Sequence, residues 1–521
     1  MPAAAERATS GTGGPEGRIA RLGRSAQTRW QAAGLLEKAV SAAALLVVVL
    51  LALMVVKLPW AGDLGIHAAT LDRLRHDLGN PGDPLVKADV DSPYYSPWML
   101  FLALIGKVTG ATTFQVLHLA AAINLVLLVT GIRQFVRTLT SRRAAVPLAI
   151  LCVTLLYGWE LFTWSGFPGA TSLALCIAYP STFAMGVAFH LWAMLRTALA
   201  RDWGMARYLM LGALLAVVAL SHQFTGVVTV FGLLAILLGA RPWPGRAAWL
   251  RIGAAIALSL AILLVWPYYS FFSLLNVGGL EEIHRPLYDH LVSRFGLLSL
   301  GIVALALRFR RDRRDPLVLF FAFGALVYAL GGLTQHWSYG RVLPAVFISA
   351  QVALAVELAG EAGRRARRVL VPLTALALLV GCWSQVGALN YVASTKSVPV
   401  LGSAPAQHEW GGYQWITKHV KYGQVIMTKD YFALRQAPAY GPYTVASGYP
   451  DFFLKDEAQR SKDTKKFFEK GTSRAQRLAL LHKYHVRWVI QFRSDGGFAP
   501  GDPALKKVAK GPNGELLLKV V

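Results

Sequence analysis

The stretch PWAGDLGIHAATLDRLRHDL, residues 59–78, begins where the first long apolar run of the chain ends. Asp63 falls at the point where a membrane span gives way to water, and His67 follows one helical turn later. A long polar loop, residues 58–98, continues from them. A carboxylate and an imidazole held at a membrane face are chemical groups, which points to an enzyme rather than a passive anchor. His67, Leu71, Leu74 and Leu78 share helical spacing with polar residues between them, which predicts an amphipathic helix laid on the membrane.

Composition agrees with a membrane setting. The chain is 55% apolar, yet its formal net charge is +25 and its mean hydropathy is +0.44. Apolar bulk together with excess base fits a polytopic membrane protein with basic loops and excludes an ordinary soluble fold. Membrane lipids are therefore the expected partners of the basic residues, and nucleic acid is not. The first apolar run, residues 40–56, follows Arg18, Arg21, Arg24 and Arg29, the layout of a signal peptide. No small-residue cleavage site follows Lys57, Leu58 and Pro59, so the run reads as an uncleaved anchor, with residues 1–36 a disordered basic cytoplasmic tail. Cys152, Cys176 and Cys382 sit in apolar runs, where cysteine behaves as a small hydrophobe.

Runs long enough to span predict eleven transmembrane helices, near 38–57, 113–133, 144–161, 171–195, 206–221, 223–240, 250–268, 292–308, 316–333, 342–359 and 369–388. Arginines mark every second connection: Arg133, Arg137, Arg142 and Arg143, then Arg196, Arg201 and Arg207, then Arg241, Arg246 and Arg251, then Arg308 to Arg314, then Arg364 to Arg368. Short cytoplasmic loops retain such charges. The N-terminus is then cytoplasmic, and a multi-pass domain at 37–389 lies in the plasma (inner) membrane. Residues 390–521 form an extracytoplasmic domain. In it GQVIMT (423–428), YTVASG (443–448), VRWVIQF (486–492) and ELLLKVV (515–521) read as strands, with helices at 408–420 and 473–484, a small α/β unit.

The noncytoplasmic connections collect the unusual residues. Asp89 and Asp91 stand in a DVD triplet, which allows oxygen ligation of a divalent cation and equally suits a turn beside proline. SPYYSPW leads into a short apolar segment at 99–108, expected at the interface. Glu160 stands among Trp159, Phe162 and Trp164; His222 and Gln223 fall between two spans; His336, Tyr339 and Arg341 lie in TQHWSYGRVLP. A buried carboxylate needs a cationic or hydroxylic partner, and an arginine at headgroup depth finds its natural partner in phosphate. Each also has a plainer reading, as a structural ion pair, a hydrogen-bonded core histidine or a snorkelling arginine.

This organisation resembles the GT-C superfamily of integral-membrane glycosyltransferases, which use polyprenyl-phosphate-linked sugars. The matching residues are Asp63 in AGDLGIH, where the family has an essential acid opening its first long loop, then SPYYSPWMLFLALIGKVTG, YGRVLPAV and the ending KYHVRWVIQF. The resemblance implies a helical membrane protein with an extracytoplasmic α/β domain, moving a sugar from a polyprenyl-phosphate donor to a glycan or lipid acceptor of the cell envelope. It implies Asp63 as general base and Arg341 as phosphate ligand, with His67, His222, Gln223, His336 and Tyr339 around the substrate. Family members often pair two acids, whereas Leu64 and Gly65 follow Asp63 here. The second acid is then expected from Glu160, or from Asp89 and Asp91, which with Asp63 would hold Mg or Mn. No glycine-rich nucleotide cradle occurs, which disfavours a nucleotide-driven pump. The alternatives are a noncatalytic membrane scaffold and a secondary transporter, and convergence of Asp63, Glu160, His222 and Arg341 on one cavity would distinguish them.

Overall fold

The computed structural model describes residues 34–276, 281–393, 396, 398–499 and 501–521. Most of the expected N-terminal tail, with the four arginines ahead of the first run, lies outside the described residues. Among the described residues eight helices are long and apolar enough to cross a membrane: Leu35–Lys57, Thr113–Leu139, Pro180–Ala200, Arg246–Leu264, Leu291–Arg311, Pro316–Thr334, Trp337–Glu361 and Arg364–Tyr391. The other three predicted spans are the shorter helices Ala145–Leu155, Met205–Ser221 and Gln223–Leu238. By length the count is eight rather than eleven. The last two short helices meet at His222, whose extended backbone (φ −158°, ψ 100°) interrupts the ladder. The run predicted at 171–195 breaks in the same way. Ala170–Cys176 ends before Tyr179, and Pro180, which has no N–H to donate, opens the next helix.

Arginine-rich connections gather on one face of the bundle. Arg308 Nη2 pairs with Asp315 at 2.6 Å and its Nη1 with the buried Glu357 at 3.2 Å, and Arg311 also bonds Glu357. Thr140 donates to Glu361 at 2.9 Å, and Arg196 to the Thr138 carbonyl at 3.1 Å. The segments around 140, 196, 310 and 360 thus share one side, as the spacing of arginines predicts.

The C-terminal domain carries a five-stranded sheet in the order β2-β1-β3-β5-β4: β1 is Val425–Met427, β2 Tyr443–Thr444, β3 Val486–Gln491, β4 Leu505–Lys510 and β5 Leu516–Val520. The β2-β1-β3 part is parallel and the β3-β5-β4 part antiparallel. β4 has no counterpart in the predicted strands, because its LKKVAK sequence is a lysine-rich sheet edge that reads as a charged loop. The helix expected at 408–420 is only a short turn, Gln414–Lys418, while an unpredicted helix, Glu457–Phe468, packs beside the expected Arg474–Lys483.

The helix Leu64–His76 is buried on all sides through most of its length. This corrects the expectation of an amphipathic helix on the membrane surface: the C-terminal domain covers the face that was assigned to lipid headgroups. Arg73, 0% exposed, donates from Nη1 to the Gly441 carbonyl at 2.7 Å and from Nη2 to the Pro442 carbonyl at 2.6 Å, with its guanidinium 3.7 Å from the centre of the Tyr443 ring. Gly65 lets the domain approach further, since a Cβ there would stand 1.8 Å from the Arg435 carbonyl oxygen. The long loop also extends the sheet: Thr444 N–H donates to Leu85 O at 2.8 Å, and Val86 bridges Thr444 in parallel register. Met99 lies in the helix Pro97–Thr109, capped by Ser96, and Trp98 is buried against Phe183 rather than set at headgroup level.

Removing the Arg73 guanidinium strands two buried carbonyls, so Arg73→Met is expected to cost about 3 kcal/mol. Limited proteolysis of the detergent-purified protein should then cut faster between the last helix and the sheet. Unchanged cleavage would mean that the domain is held by other contacts.

Candidate active site

A cavity of about 620 Å³ opens where the C-terminal domain, the long loop and the helix ends meet. Of the residues singled out in the sequence, Asp63, His67, His222, Gln223 and Arg341 line it. The structure adds Tyr94, Trp164, Tyr179, His284, Gln407, Tyr449 and Asp451, with an apolar side made by Phe224, Val227, Phe271, Leu274 and Ile283.

Asp63 occupies the N-cap position of Leu64–His76 but makes no capping hydrogen bond. Its carboxylate therefore remains available to a ligand. Burial pushes its pKa above the ordinary carboxylate value, and Arg341 and Arg435 oppose that push. A carboxylate with a raised pKa is a stronger proton acceptor. Arg435 comes from the C-terminal domain, where its guanidinium lies 3.8 Å from the centre of the Tyr431 ring and 4.8 Å from that of Tyr449. Tyr449 Oη in turn donates to the Gly62 carbonyl at 2.7 Å, next to Asp63.

Arg341 sits in the short helical turn Trp337–Val342 that precedes Leu343–Val356. It is 7% exposed, its guanidinium lies 4.4 Å from the centre of the Phe224 ring and 5.8 Å from that of Trp164, and its Nε has no hydrogen-bond partner. Its Nη2 stands 3.2 Å from His222 Nε2. Its other ring nitrogen, Nδ1, faces Thr225 Oγ1 at 2.7 Å and accepts from the Thr225 backbone N–H at 3.2 Å, so Thr225 fixes the ring. His222 is thus a neutral orienting group for the guanidinium. Gly166 (φ +82°) allows the Trp164 turn to close on it, for a Cβ at that position would be 3.0 Å from His222 Cε1.

His67 is packed edge-on to Tyr179 (ring centres 4.6 Å apart) and Tyr94 (5.9 Å), and burial lowers its pKa to about 3. It is a neutral imidazole, and its buried Nδ1 lacks a partner. Ser221 Oγ, also on the cavity wall, is likewise buried and unpartnered. Buried polar atoms without partners are costly, so these atoms mark positions that a ligand would satisfy.

Other expected residues are elsewhere. Glu160 does not line the cavity: Arg294 Nε donates to it at 3.0 Å, Ser293 Oγ at 2.5 Å, and His290 Nδ1 stands 3.2 Å away. The hydrogen bond from Ser293, burial acting against it, and the arginine leave its pKa below the ordinary value. The Trp159 and Glu160 N–H groups both donate to the Ser293 carbonyl, which fixes the segment there. His336 pairs with Thr334 and stacks on Tyr339, both outside the cavity. Asp89 and Asp91 are both exposed, and neither lies on the cavity wall with Asp63. Among the described residues no three His, Cys, Asp or Glu groups converge as a metal ion would require. The expected Asp63, Asp89 and Asp91 set therefore does not fit Mg or Mn. Asp451 was missed because its partners lie far away in sequence; the only signal was an acid among aromatics in GYPDFF.

No family model and no curated sequence matches the chain. Solved structures do: ArnT from Cupriavidus metallidurans bound to undecaprenyl phosphate is similar at 16% identity and TM-score 0.51, over 92% of this chain and 97% of that one. The arabinofuranosyltransferase AftD from Mycobacteria is similar at 14% identity and TM-score 0.57, over 92% of this chain and 40% of that one. The chain thus spans less than half the length of AftD. The chain shares the fold of these two solved structures. The chain is a multi-pass membrane protein of that architecture, with a small C-terminal α/β domain.

Arg435 lowers the pKa of Asp63, so Arg435→Ala should let it rise. If Asp63 acts as a base, the acidic limb of the pH–rate profile then moves to higher pH. An unmoved limb would separate Arg435 from the site. Glu160→Gln should leave turnover near the parent value.

Proposed function

We propose that the chain is a membrane glycosyltransferase that moves a sugar from a polyprenyl-phosphate donor to a hydroxyl of an extracytoplasmic cell-envelope glycan or lipid. The observation that carries this reading is the meeting of Asp63 and Arg341, remote in sequence, in one cavity with an apolar side and buried unpartnered polar atoms. The similarity to ArnT bound to undecaprenyl phosphate supports a lipid-linked donor. The arginine-rich face opposite the domain supports an N-terminus in the cytoplasm and a cavity that opens outside.

In this reading the donor's chain lies along Phe224, Val227, Phe271 and Leu274, and its phosphate meets Arg341. The acceptor oxygen attacks the anomeric carbon while Asp63 takes its proton. A new C–O bond forms on one side of that carbon as the bond to phosphate oxygen breaks on the other. The electron pair leaves with the polyprenyl phosphate, and Arg341 meets the charge that grows there. His222 keeps the guanidinium oriented, and burial by Trp164 and Phe224 strengthens the attraction.

Incubating the purified protein with a panel of polyprenyl-phosphate sugars should release polyprenyl phosphate. Asp63→Asn should keep lipid-phosphate binding while turnover falls about a hundredfold or more. Wild-type turnover in that variant would remove Asp63 from the chemistry. Arg341→Lys should weaken undecaprenyl phosphate binding, because an ammonium cannot reproduce a planar two-pronged contact. A reporter that works only outside the cytoplasm should be active when fused after Val521; a silent reporter would reverse the topology.

A further inference from the structure

The cavity has a second polar pole that the transfer chemistry leaves unused. It lies on the wall supplied by the C-terminal domain, where residues 449–452, YPDF, run along the cavity beyond β2. The backbone there is fixed from several sides. Tyr449 Oη holds the Gly62 carbonyl, the Asp451 N–H donates to Glu457 Oε2 at 3.1 Å, and the Phe453 N–H donates to Asp451 Oδ1 at 3.0 Å. The Asp451 carboxylate is therefore presented to the cavity in a set orientation.

Behind it stands Asp83, 1% exposed. Its Oδ1 accepts the Leu85 and Val86 N–H groups, each at 2.7 Å. Its buried Oδ2 has no hydrogen-bond partner, and Asp451 is near enough to act on the carboxyl. Burial first, and then the contact with Asp451, hold the Asp83 carboxyl well above the usual carboxylate range. A proton retained on Asp83 makes it a hydrogen-bond donor that buttresses Asp451 from behind. Leu85 and Val86 are the residues that extend the sheet at β2, so the buttress and the domain contact are one piece of structure. The Tyr94 phenol adjoins both poles, since it lies in the field of Asp63, Asp451, Asp83 and Arg341 together.

An anionic carboxylate repels phosphate, so this pole suits a neutral partner. A carboxylate beside the aromatic faces of Tyr94 and Phe452 meets a sugar ring well: hydroxyls donate to the oxygens and the C–H face packs on the rings. His67 Nδ1 and Ser221 Oγ, both at least nine-tenths buried and unpartnered in the same cavity, supply independent sites for hydroxyls. A lipid-tethered donor reaches the cavity along its apolar side, and the domain side is left for a water-borne acceptor.

We propose that Asp451, buttressed by Asp83, binds the hydroxyls of the acceptor glycan against Tyr94 and Phe452, so that the C-terminal domain sets acceptor specificity. This rests on the transferase reading for the word acceptor, and on the cavity itself for the sugar site.

The test has two binding arms on the full-length purified protein. One measures undecaprenyl phosphate by native mass spectrometry. The other measures methyl glycosides of arabinose, galactose, glucose and mannose by saturation-transfer NMR. Asp451→Asn should weaken binding of the recognised glycoside about tenfold or more, the scale of losing a charged hydrogen bond, with undecaprenyl phosphate affinity unchanged. Arg341→Ala should do the reverse. Asp83→Asn still offers an N–H to Asp451 and should retain glycoside binding, whereas Asp83→Leu should lose it. Parent-like glycoside binding in both Asp451→Asn and Asp451→Ala would overturn the proposal. So would joint loss of both probes in Asp451→Asn, or a parent that captures no glycoside of the panel. A parent that binds glycosides through Asp451 but neither binds nor releases lipid phosphate would uphold the sugar site and sink the transferase reading alone.

Discussion

The buried guanidinium of Arg73 is the contact on which the rest of the site depends. A cation taken out of water must find acceptors of fixed geometry, and this one finds them in two consecutive carbonyls of the C-terminal domain. The first-loop helix and the domain are thereby held in one register. That register brings the Arg435 carbonyl against Gly65, the Tyr449 hydroxyl against the Gly62 carbonyl, and Asp451 onto the cavity wall opposite the helix ends.

Electrostatics within the cavity follow from the same packing. The Asp63 carboxylate is placed where burial disfavours its charge, and two arginines from different parts of the chain compensate. Arg341 comes from the start of a span and Arg435 from the domain. The balance seen by Asp63 therefore depends on the domain staying in place. The neighbouring imidazoles of His67 and His222 remain neutral, so they orient and solvate without competing for charge. Protonation of either beside Arg341 would add like charge in a poorly solvated space.

The three acids that the sequence offered as partners for Asp63 illustrate how local reading fails. Glu160 looked stranded among aromatics, yet its cationic partner, Arg294, stands on a helix reached only through the fold. Asp89 and Asp91 had ligand-like spacing, but the loop spends its buried carboxyl elsewhere, on Asp83, whose hydrogen bonds to Leu85 and Val86 shape the turn that joins the sheet. The amphipathic pattern of Leu64–His76 was read correctly as helical and wrongly as facing lipid. Periodicity reports that a face is apolar and cannot say whether lipid or protein covers it.

The sequence by itself determined the membrane class, the places of most helices, the sharing of one face by the basic connections, and the interest of Asp63 and Arg341. These are written in local composition, span length and charge bias, each set by the cost of placing polar groups in hydrocarbon. Tertiary structure alone decided that Asp63, His67, His222 and Arg341 share a cavity while Glu160, His336 and Tyr339 stand apart, and that Asp83 and Asp451 form a second pole. Those groupings arise from contacts between segments hundreds of residues apart, such as Arg73 with Gly441. Their geometry is fixed by packing and hydrogen bonding across the fold, which no local spacing encodes.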